Sequence, residues 1–535
     1  MERTTIYGKV AGLDESATSG ALAWKGIPFA RAPVGELRWR APVEPDGWSG
    51  VRPARDFGPA CVQIGRLYGP GRNNRYDRSI GECLGQVTGS EDCLYLNIWA
   101  PATAEAPLPV IVFIHGGSNI TGYTADPVYD GARLAVTGGA VVVTVNYRLG
   151  IFGFFDLPQK FDNASGNFAL LDIVAALKFV NRNIAAFGGD PGNVTLMGQS
   201  AGAVNIWALL TSPLLTAEPA LVQRALPISG SVAMTADLPQ GCMGVLHPPA
   251  LYSAQGAAVL RGALTRAGAA TPQNSGDWLR AQSAESLLHV VLEELTPLGL
   301  ATSGPIADGL VVAAAPLAAI RAGNWRRVPL LAGFTRDEGK LFPAMLALSP
   351  MLGGASGRLI DDATVFELLY CADAGRSAQT ALDAWIPPQL LPAAAPVTGF
   401  NERMRQLDAL LFHPNRDAML DAVRAQQDQV WFYQFDWDEE APPFDTIYGA
   451  AHGFDVPFLF GNFGPSVFAT VINSSTNQAG RLALSNAMMR AVGAFARHGD
   501  PNHAALGTHW PAWPAMLHFD ADDALAVISV SGAQS

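Results

Sequence analysis

The residues of this chain best arranged to do chemistry lie in Asn193-Val-Thr-Leu-Met-Gly198-Gln199-Ser200-Ala201-Gly202. An apolar strand, Val194 to Met197, runs into Gly-x-Ser-x-Gly, and a helix-forming run from Ala203 to Leu210 follows at once. A serine at the tip of a sharp strand-to-helix turn sits in strained backbone, so the residues two before and two after it must be small. The turn lifts the hydroxyl out of the sheet, and the amide after the serine points where the helix dipole favours a developing oxyanion. With 55 glycines in the chain, the pattern alone could be a glycine-rich turn; its place between strand and helix makes Ser200 a candidate nucleophile.

A serine hydroxyl needs a base, itself oriented by a third group. After a serine turn of this kind the partners follow in the order serine, acid, histidine. Of the nine histidines, His115, His247 and His289 come before any acid that could follow Ser200 at a plausible distance. Of the rest, His452 stands out in Gly449-Ala-Ala-His452-Gly453-Phe-Asp455, where small neighbours let an imidazole swing towards a nucleophile. His413, His498, His503, His509 and His518 sit among turn or charged residues and read as surface histidines. The acid is sought in Gly333-Phe-Thr-Arg-Asp337-Glu338-Gly339, because a carboxylate after a strand faces the edge where α/β sites assemble. Spacing does not separate Asp337 from Glu338. Phe113-Ile-His115-Gly116-Gly117-Ser118-Asn119 offers backbone amides beside glycines, which allow a substrate carbonyl to approach closely. His115 reads as an anchor for that loop.

These groups need a scaffold. Pro109 to Ile114 and Ala140 to Val145 are short β-branched runs of the kind buried on both faces of a parallel sheet. Ala169 to Ala185 carries Leu170, Ile173, Val174, Leu177, Val180 and Ile184 on one helical face. Phe187 to Gly192 is turn chemistry, and further strands are expected at Val328 to Ala332 and Val430 to Phe435. The alternation predicts an α/β fold with a mostly parallel sheet. The chain has 535 residues, 49% of them hydrophobic and 15% charged, enough for a large core and too little charge for disorder. No linker, charge block or repeat divides it. It is read as one domain, 1–535, with helical and loop-rich insertions at about 238–315 and 346–415 that shape an active-site gorge. A net charge of −12 argues against nucleic acid or an anionic membrane as partner. No run reaches the ~18 apolar residues of a membrane span. The N-terminus carries no apolar signal core, which predicts a cytoplasmic protein, or a secreted or periplasmic one if a leader has been removed.

With these pieces assembled, the chain resembles the type-B carboxylesterases, a family that includes bacterial para-nitrobenzyl esterases, cholinesterases and related lipases. The likeness runs through Trp24 to Pro33, Ser90 to Asn97, Val145 to Gly153, Asn183 to Pro191, the serine turn, Asp337-Glu-Gly, His452-Gly-Phe-Asp and Gly499-Asp-Pro-Asn502. It implies an α/β-hydrolase fold with Ser200 as nucleophile, His452 as general base and Glu338, not Asp337, as the acid. It implies an oxyanion hole made by the amides of Gly117, Ser118 and Ala201. Cys61 and Cys93, two of five cysteines without metal-ligand spacing, match the pair bridged in secreted members. Such a bridge would add about 3–4 kcal/mol in the chain-entropy account and would need an oxidising compartment, in tension with the missing leader.

Three departures stand out. Ser118 occupies a position where glycine or alanine is common, and its side chain narrows or polarises the acyl site. Gln199 replaces the usual glutamate before the serine, which removes a charge that helps cholinesterase-like members hold cationic substrates. Ile173 and Phe179 replace a glutamine and a tryptophan in the preceding helix. The expected activity is hydrolysis of neutral carboxylic esters through an acyl-enzyme, without metal or organic cofactor, by a monomer or homodimer. The same triad would serve an amidase, a carbamate hydrolase or a lipase, and related folds act as non-catalytic adhesion modules. Pocket residues are expected near Leu298 to Ser303 and Leu341 to Leu352.

Overall fold

A computed structural model describes residues 1–103, 107–156, 165–342, 362, 366, 385–386, 388–466 and 469–532. Its centre is an eleven-stranded sheet. In chain order the strands are β1 (Leu13–Glu15), β2 (Ala21–Pro28), β3 (Tyr95–Pro101), β4 (Leu108–Ile114), β5 (Val141–Val145) and β6 (Gly189–Gln199). They continue with β7 (Arg224–Ile228), β8 (Leu330–Thr335), β9 (Val430–Phe435), β10 (Met516–Ala521) and β11 (Ala526–Ser531). Across the sheet the order is β11-β10-β9-β8-β7-β6-β4-β5-β3-β2-β1. The inner run from β10 to β5 is parallel, and both flanks are antiparallel. Val110 to Ile114 and Val141 to Val143 are wholly buried, as the continuous apolar runs require of strands covered on both faces.

Four helices matter for the site: α1 (Phe168–Asn183), α2 (Ala201–Leu210), α3 (Pro249–Ala267) and α4 (Gln478–His498). Helix α1 covers the run expected from its apolar stripe and then tightens into a 3-10 turn, Ile184–Phe187, closed by Gly188 in the left-handed region. Ile173 and Phe179 are both buried there, and Phe179 stacks on Tyr7 at 5.8 Å, so these departures are packing changes. Helix α2 begins immediately after Ser200, and all ten of its residues are buried.

The main differences from the sequence expectation lie in β8 and β6. β8 begins at Leu330 rather than Val328, since Pro329 has no N–H to give a ladder, and it runs on to Thr335. β9 falls where predicted. The glycine-rich segment before the serine strand is partly extended: β6 starts at Gly189 and shifts register before Val194 instead of turning.

Cys61 and Cys93 form a disulfide, while Cys83 and Cys242 are free and Cys371 lies outside the described residues. The 238–315 stretch holds α3, Ser275–Arg280 and Ala284–Val290. Most of 346–415 up to 387 lies outside the described residues, as does Leu341 to Leu352 beyond Phe342. Among the described residues no helix is long and apolar enough to cross a membrane.

Candidate active site

The parallel register brings the functional loops together. Gly198 pairs with Ile114, Gln199 with Ile228, and Ile228 with Gly333, so β4, β6, β7 and β8 end at one level. β4 lies between β5 and β6, the reversal of strand order at which open α/β sheets bind ligands.

Ser200 has φ 55° and ψ −122° and stands at the head of α2. Its amide donates to Ile228 O (2.8 Å) and its carbonyl accepts from Val204 N (3.0 Å), so the strained turn is pinned on both sides. The flanking glycines are sterically required. A Cβ on Gly202 would come within 2.1 Å of Ile114 O, and one on Gly198 within 2.9 Å of Gly202 C. Gly116 packs against the turn from the neighbouring loop, where a Cβ would meet Ser200 Cβ at 3.0 Å. Gly117 (φ 104°), Ser118 (φ 54°) and Asn119 (φ 57°) follow in left-handed backbone. The amides of Ile120 and Thr121 both donate to Gly117 O at 3.0 Å, and the loop folds back on itself.

The histidine of that loop is structural. His115 is buried, pairs through Nδ1 with Gly116 O (2.8 Å) and stacks on Tyr147 at 4.6 Å. Tyr147 OH in turn donates to His115 O (2.8 Å). Burial pushes the His115 imidazole down to about 4, so it is neutral at ordinary pH.

His452 and Glu338 meet beneath the serine turn. Both are buried, and His452 Nδ1 is hydrogen-bonded to Glu338 Oε2. Glu338 Oε1 accepts from Ser229 Oγ (2.6 Å) and from Thr335 N (2.8 Å), so the carboxylate has a fixed orientation. Phe342 and Phe412 cover the imidazole at 4.9 and 6.0 Å. Asp337 is directed elsewhere. It pairs with Arg336 (2.9 Å) and Lys340 (3.7 Å) and accepts from Ala450 N, holding the histidine loop to β8.

Two further carboxyls are buried beside Glu338. Asp408 accepts from Gly339 N (2.7 Å), and Asp455 accepts from Tyr433 OH (2.7 Å). Burial pushes Asp408 up to about 8 and Asp455 up to about 7. Both therefore hold protons for much of the time at neutral pH, which limits like-charge repulsion around Glu338.

His452 Nε2 lies 3.0 Å from Gln199 Nε2. With Nδ1–H directed at Glu338, Nε2 is the acceptor and the Gln199 amide donates to it. Ser200 Oγ makes no hydrogen bond among the described residues, and its residue is partly exposed.

Sequence reasoning did not anticipate Ser229, Asp408, Asp455 as a buried acid, or the contact of Gln199 with the histidine. Ser229 carried one readable sign, small residues (Ser229-Gly-Ser231) directly after a strand. Beside the glycine loop lies a cavity lined by Ile120, Ile151, Gln255, Leu288, Val291 and Thr302. Thr302 and the neighbouring Ala301 come from the predicted Leu298 to Ser303 stretch. No cluster of His, Cys, Asp and Glu among the described residues could hold a metal ion.

The profile of a family described as the carboxylesterase family matches residues 1–527. A para-nitrobenzyl esterase of Bacillus subtilis (strain 168) is 34% identical over 522 residues, covering 95% of this chain and 92% of that protein. A fumonisin B1 esterase of Sphingopyxis macrogoltabida is 33% identical, covering 96% and 84%. Among solved structures, a PNB esterase superimposes with a TM-score of 0.75 at 31% identity, over 100% of this chain and 98% of the other. A carboxylesterase of Geobacillus stearothermophilus gives 0.74 at 33% identity, over 99% and 98%.

Proposed function

This chain belongs to the carboxylesterase family and is a carboxylic ester hydrolase, and we propose that Ser200, His452 and Glu338 carry out the hydrolysis through an acyl-enzyme. The observation that carries this reading is the buried Glu338–His452 pair, whose imidazole reaches Gln199, the residue before a serine held in left-handed backbone at a helix head.

In the proposed cycle an ester carbonyl settles over the turn and displaces the Gln199 amide from His452 Nε2, which frees the base. Ser200 Oγ attacks as Nε2 takes its proton. The imidazolium is held by Glu338, whose orientation is set by Ser229 and Thr335 N. The amides of Gly117, Ser118 and Ala201 receive the oxyanion, each worth about 3 kcal/mol of transition-state stabilisation. Collapse of the tetrahedral adduct expels the alcohol, which takes the proton from Nε2. Water then repeats the sequence on the acyl-serine and regenerates Ser200.

Neutral esters are the proposed substrates. A glutamine, not a carboxylate, stands before the nucleophile, and the cavity beside the oxyanion loop is mostly apolar, with polar lining from Gln63, Arg66, Gln255, Thr296 and Thr302. We assign that cavity to one of the two ester substituents, its wall supplied by α3 and the segment up to Thr302 in the 238–315 insertion. The first experiment is hydrolysis of para-nitrophenyl esters of increasing acyl length. Turnover should be best on short chains and fall as the acyl group outgrows the cavity. Turnover independent of chain length would remove the cavity assignment.

A further inference from the structure

The proposed oxyanion donors sit on two separate pieces of chain. Gly117 and Ser118 belong to the loop after β4, whereas Ala201 opens α2. An oxyanion hole works only if its donors are already spaced for the tetrahedral oxygen, since a shift of a few tenths of an ångström weakens each bond. The backbone hydrogen bonds of Ile120 and Thr121 close the loop on itself and do not reach the helix.

Two asparagines do reach across. Asn119 directly follows Ser118, and Asn205 lies just over one turn into α2. Their side chains face each other as a reciprocal amide pair. Asn205 Nδ2 donates to Asn119 Oδ1 at 2.9 Å, and Asn119 Nδ2 donates to Asn205 Oδ1 at 3.4 Å. Both residues are buried, at 2% and 0% exposure, so the bonds are not exchanged for water. Asn119 O also accepts from Gly150 N at 2.7 Å, which fixes the loop on its other side. Asparagine tolerates the left-handed backbone of position 119 better than most residues. That preference accounts for the residue type at position 119; it does not account for a second buried amide at position 205, in the middle of an otherwise apolar helix. A helix interior buries an asparagine at a cost unless its amide is paired.

We propose that Asn119 and Asn205 are positioning residues, a clamp that holds the loop amides of Gly117 and Ser118 at a fixed spacing from the helix amide of Ala201. The clamp rests on the reading of Ser200 as nucleophile. Its effect falls on the tetrahedral oxyanion and not on substrate docking, because donor spacing is felt most by the charge that develops there.

The test compares Asn119→Ala, Asn205→Ala and the double variant on para-nitrophenyl acetate. Affinity for an aliphatic trifluoromethyl ketone, which forms a tetrahedral adduct with a serine, is measured alongside. Each single variant should lose about 10- to 100-fold in kcat with KM within about twofold, and trifluoromethyl ketone affinity should weaken in parallel. The double variant should fall no further than the worse single, since one interaction is lost once. If Asn205→Ala does not fold, Asn205→Ser serves in its place with the same expected loss. Unchanged kcat and inhibitor affinity in the folded variants, losses confined to KM, or losses that add in the double variant would each overturn the clamp. Ser200→Ala is run in the same series. Its keeping turnover would overturn the nucleophile reading and the clamp with it, whereas its inactivity beside unaffected asparagine variants overturns the clamp alone.

Discussion

At one edge of the sheet Asp436, His518 and Ser531 form a chain of side chains, with 2.6 Å from Asp436 Oδ2 to His518 Nδ1 and 2.6 Å from Nε2 to Ser531 Oγ. At its centre Glu338, His452 and Ser200 are the same kinds of group, yet there the Nε2 position faces Gln199 and Ser200 Oγ has no hydrogen bond among the described residues. Judged by hydrogen bonds alone, the edge trio is the more complete relay. The surroundings reverse that ranking. Ser531 ends the regular strand β11, in register with Met516 and without left-handed backbone. Ser200 stands in strained backbone at the head of a buried helix, with a glycine loop packed against it. The comparison teaches that an acid–base chain is inexpensive to build, while a hydroxyl presented in strained backbone beside a glycine loop is what sets the proposed nucleophile apart from a satisfied serine.

The largest effect should come from exchanging the two serines in turn. Ser200→Ala should lower kcat by about 10⁵-fold, while Ser531→Ala stays within about twofold. A fluorophosphonate probe followed by peptide mass spectrometry should label Ser200 and leave Ser531 unmodified. Labelling at Ser531 would break the distinction. The two acids should differ in the same way. Glu338→Gln is expected to cost roughly 10²- to 10⁴-fold in kcat, whereas Asp436→Asn should leave the rate unchanged and alter only thermal stability.

A third imidazole sharpens the contrast, since His115 is buried with no carboxylate beside it. Its folded value near 4 lies below the ordinary 6.5, so the unfolded chain binds a proton that the folded chain refuses. Stability from this site is complete above the unfolded value and is lost as pH falls from about 6.5 towards 4. The loss amounts to roughly 3 kcal/mol. Denaturant titrations across that range should show a flatter acid limb for His115→Gln than for wild type; an unchanged limb would show that His115 is not held neutral. The smallest change is expected from Gln199→Glu. A carboxylate at the site should raise kcat/KM for a choline ester relative to its neutral carbon isostere by about tenfold, a Coulombic gain of ~1.4 kcal/mol. An unaltered ratio would remove charge at position 199 from the account of specificity.

How much of this was legible in sequence depends on how local each constraint is. The serine turn could be read because Gly198 and Gly202 are demanded by atoms within a few residues or on the adjoining strand. β9 could be read because Val430 to Phe435 is an unbroken buried run. Separating Glu338 from Asp337 was beyond spacing, and in the fold their difference is lateral: Glu338 turns towards Ser229 and His452, and Asp337 towards Arg336 and Lys340. Ser229 acquires its role only because Ile228 pairs with both Gln199 and Gly333. The Asn119–Asn205 pair spans 86 residues and leaves no periodic trace. Gln199 could be read as a missing charge, but its donation to the histidine depends on a rotamer.

Glu338 and His452 are 114 residues apart, and each comes from a loop that follows a different strand. On the proposed triad, ester turnover is a signal of finished folding. A chain released from the ribosome before His452 carries the serine turn without the proposed base, and a nicked product in which β8 and β9 have separated holds the two apart. Colour from a para-nitrophenyl ester given by the purified chain would therefore count only molecules whose two halves have met, and the ratio of that count to total chain would measure folding yield.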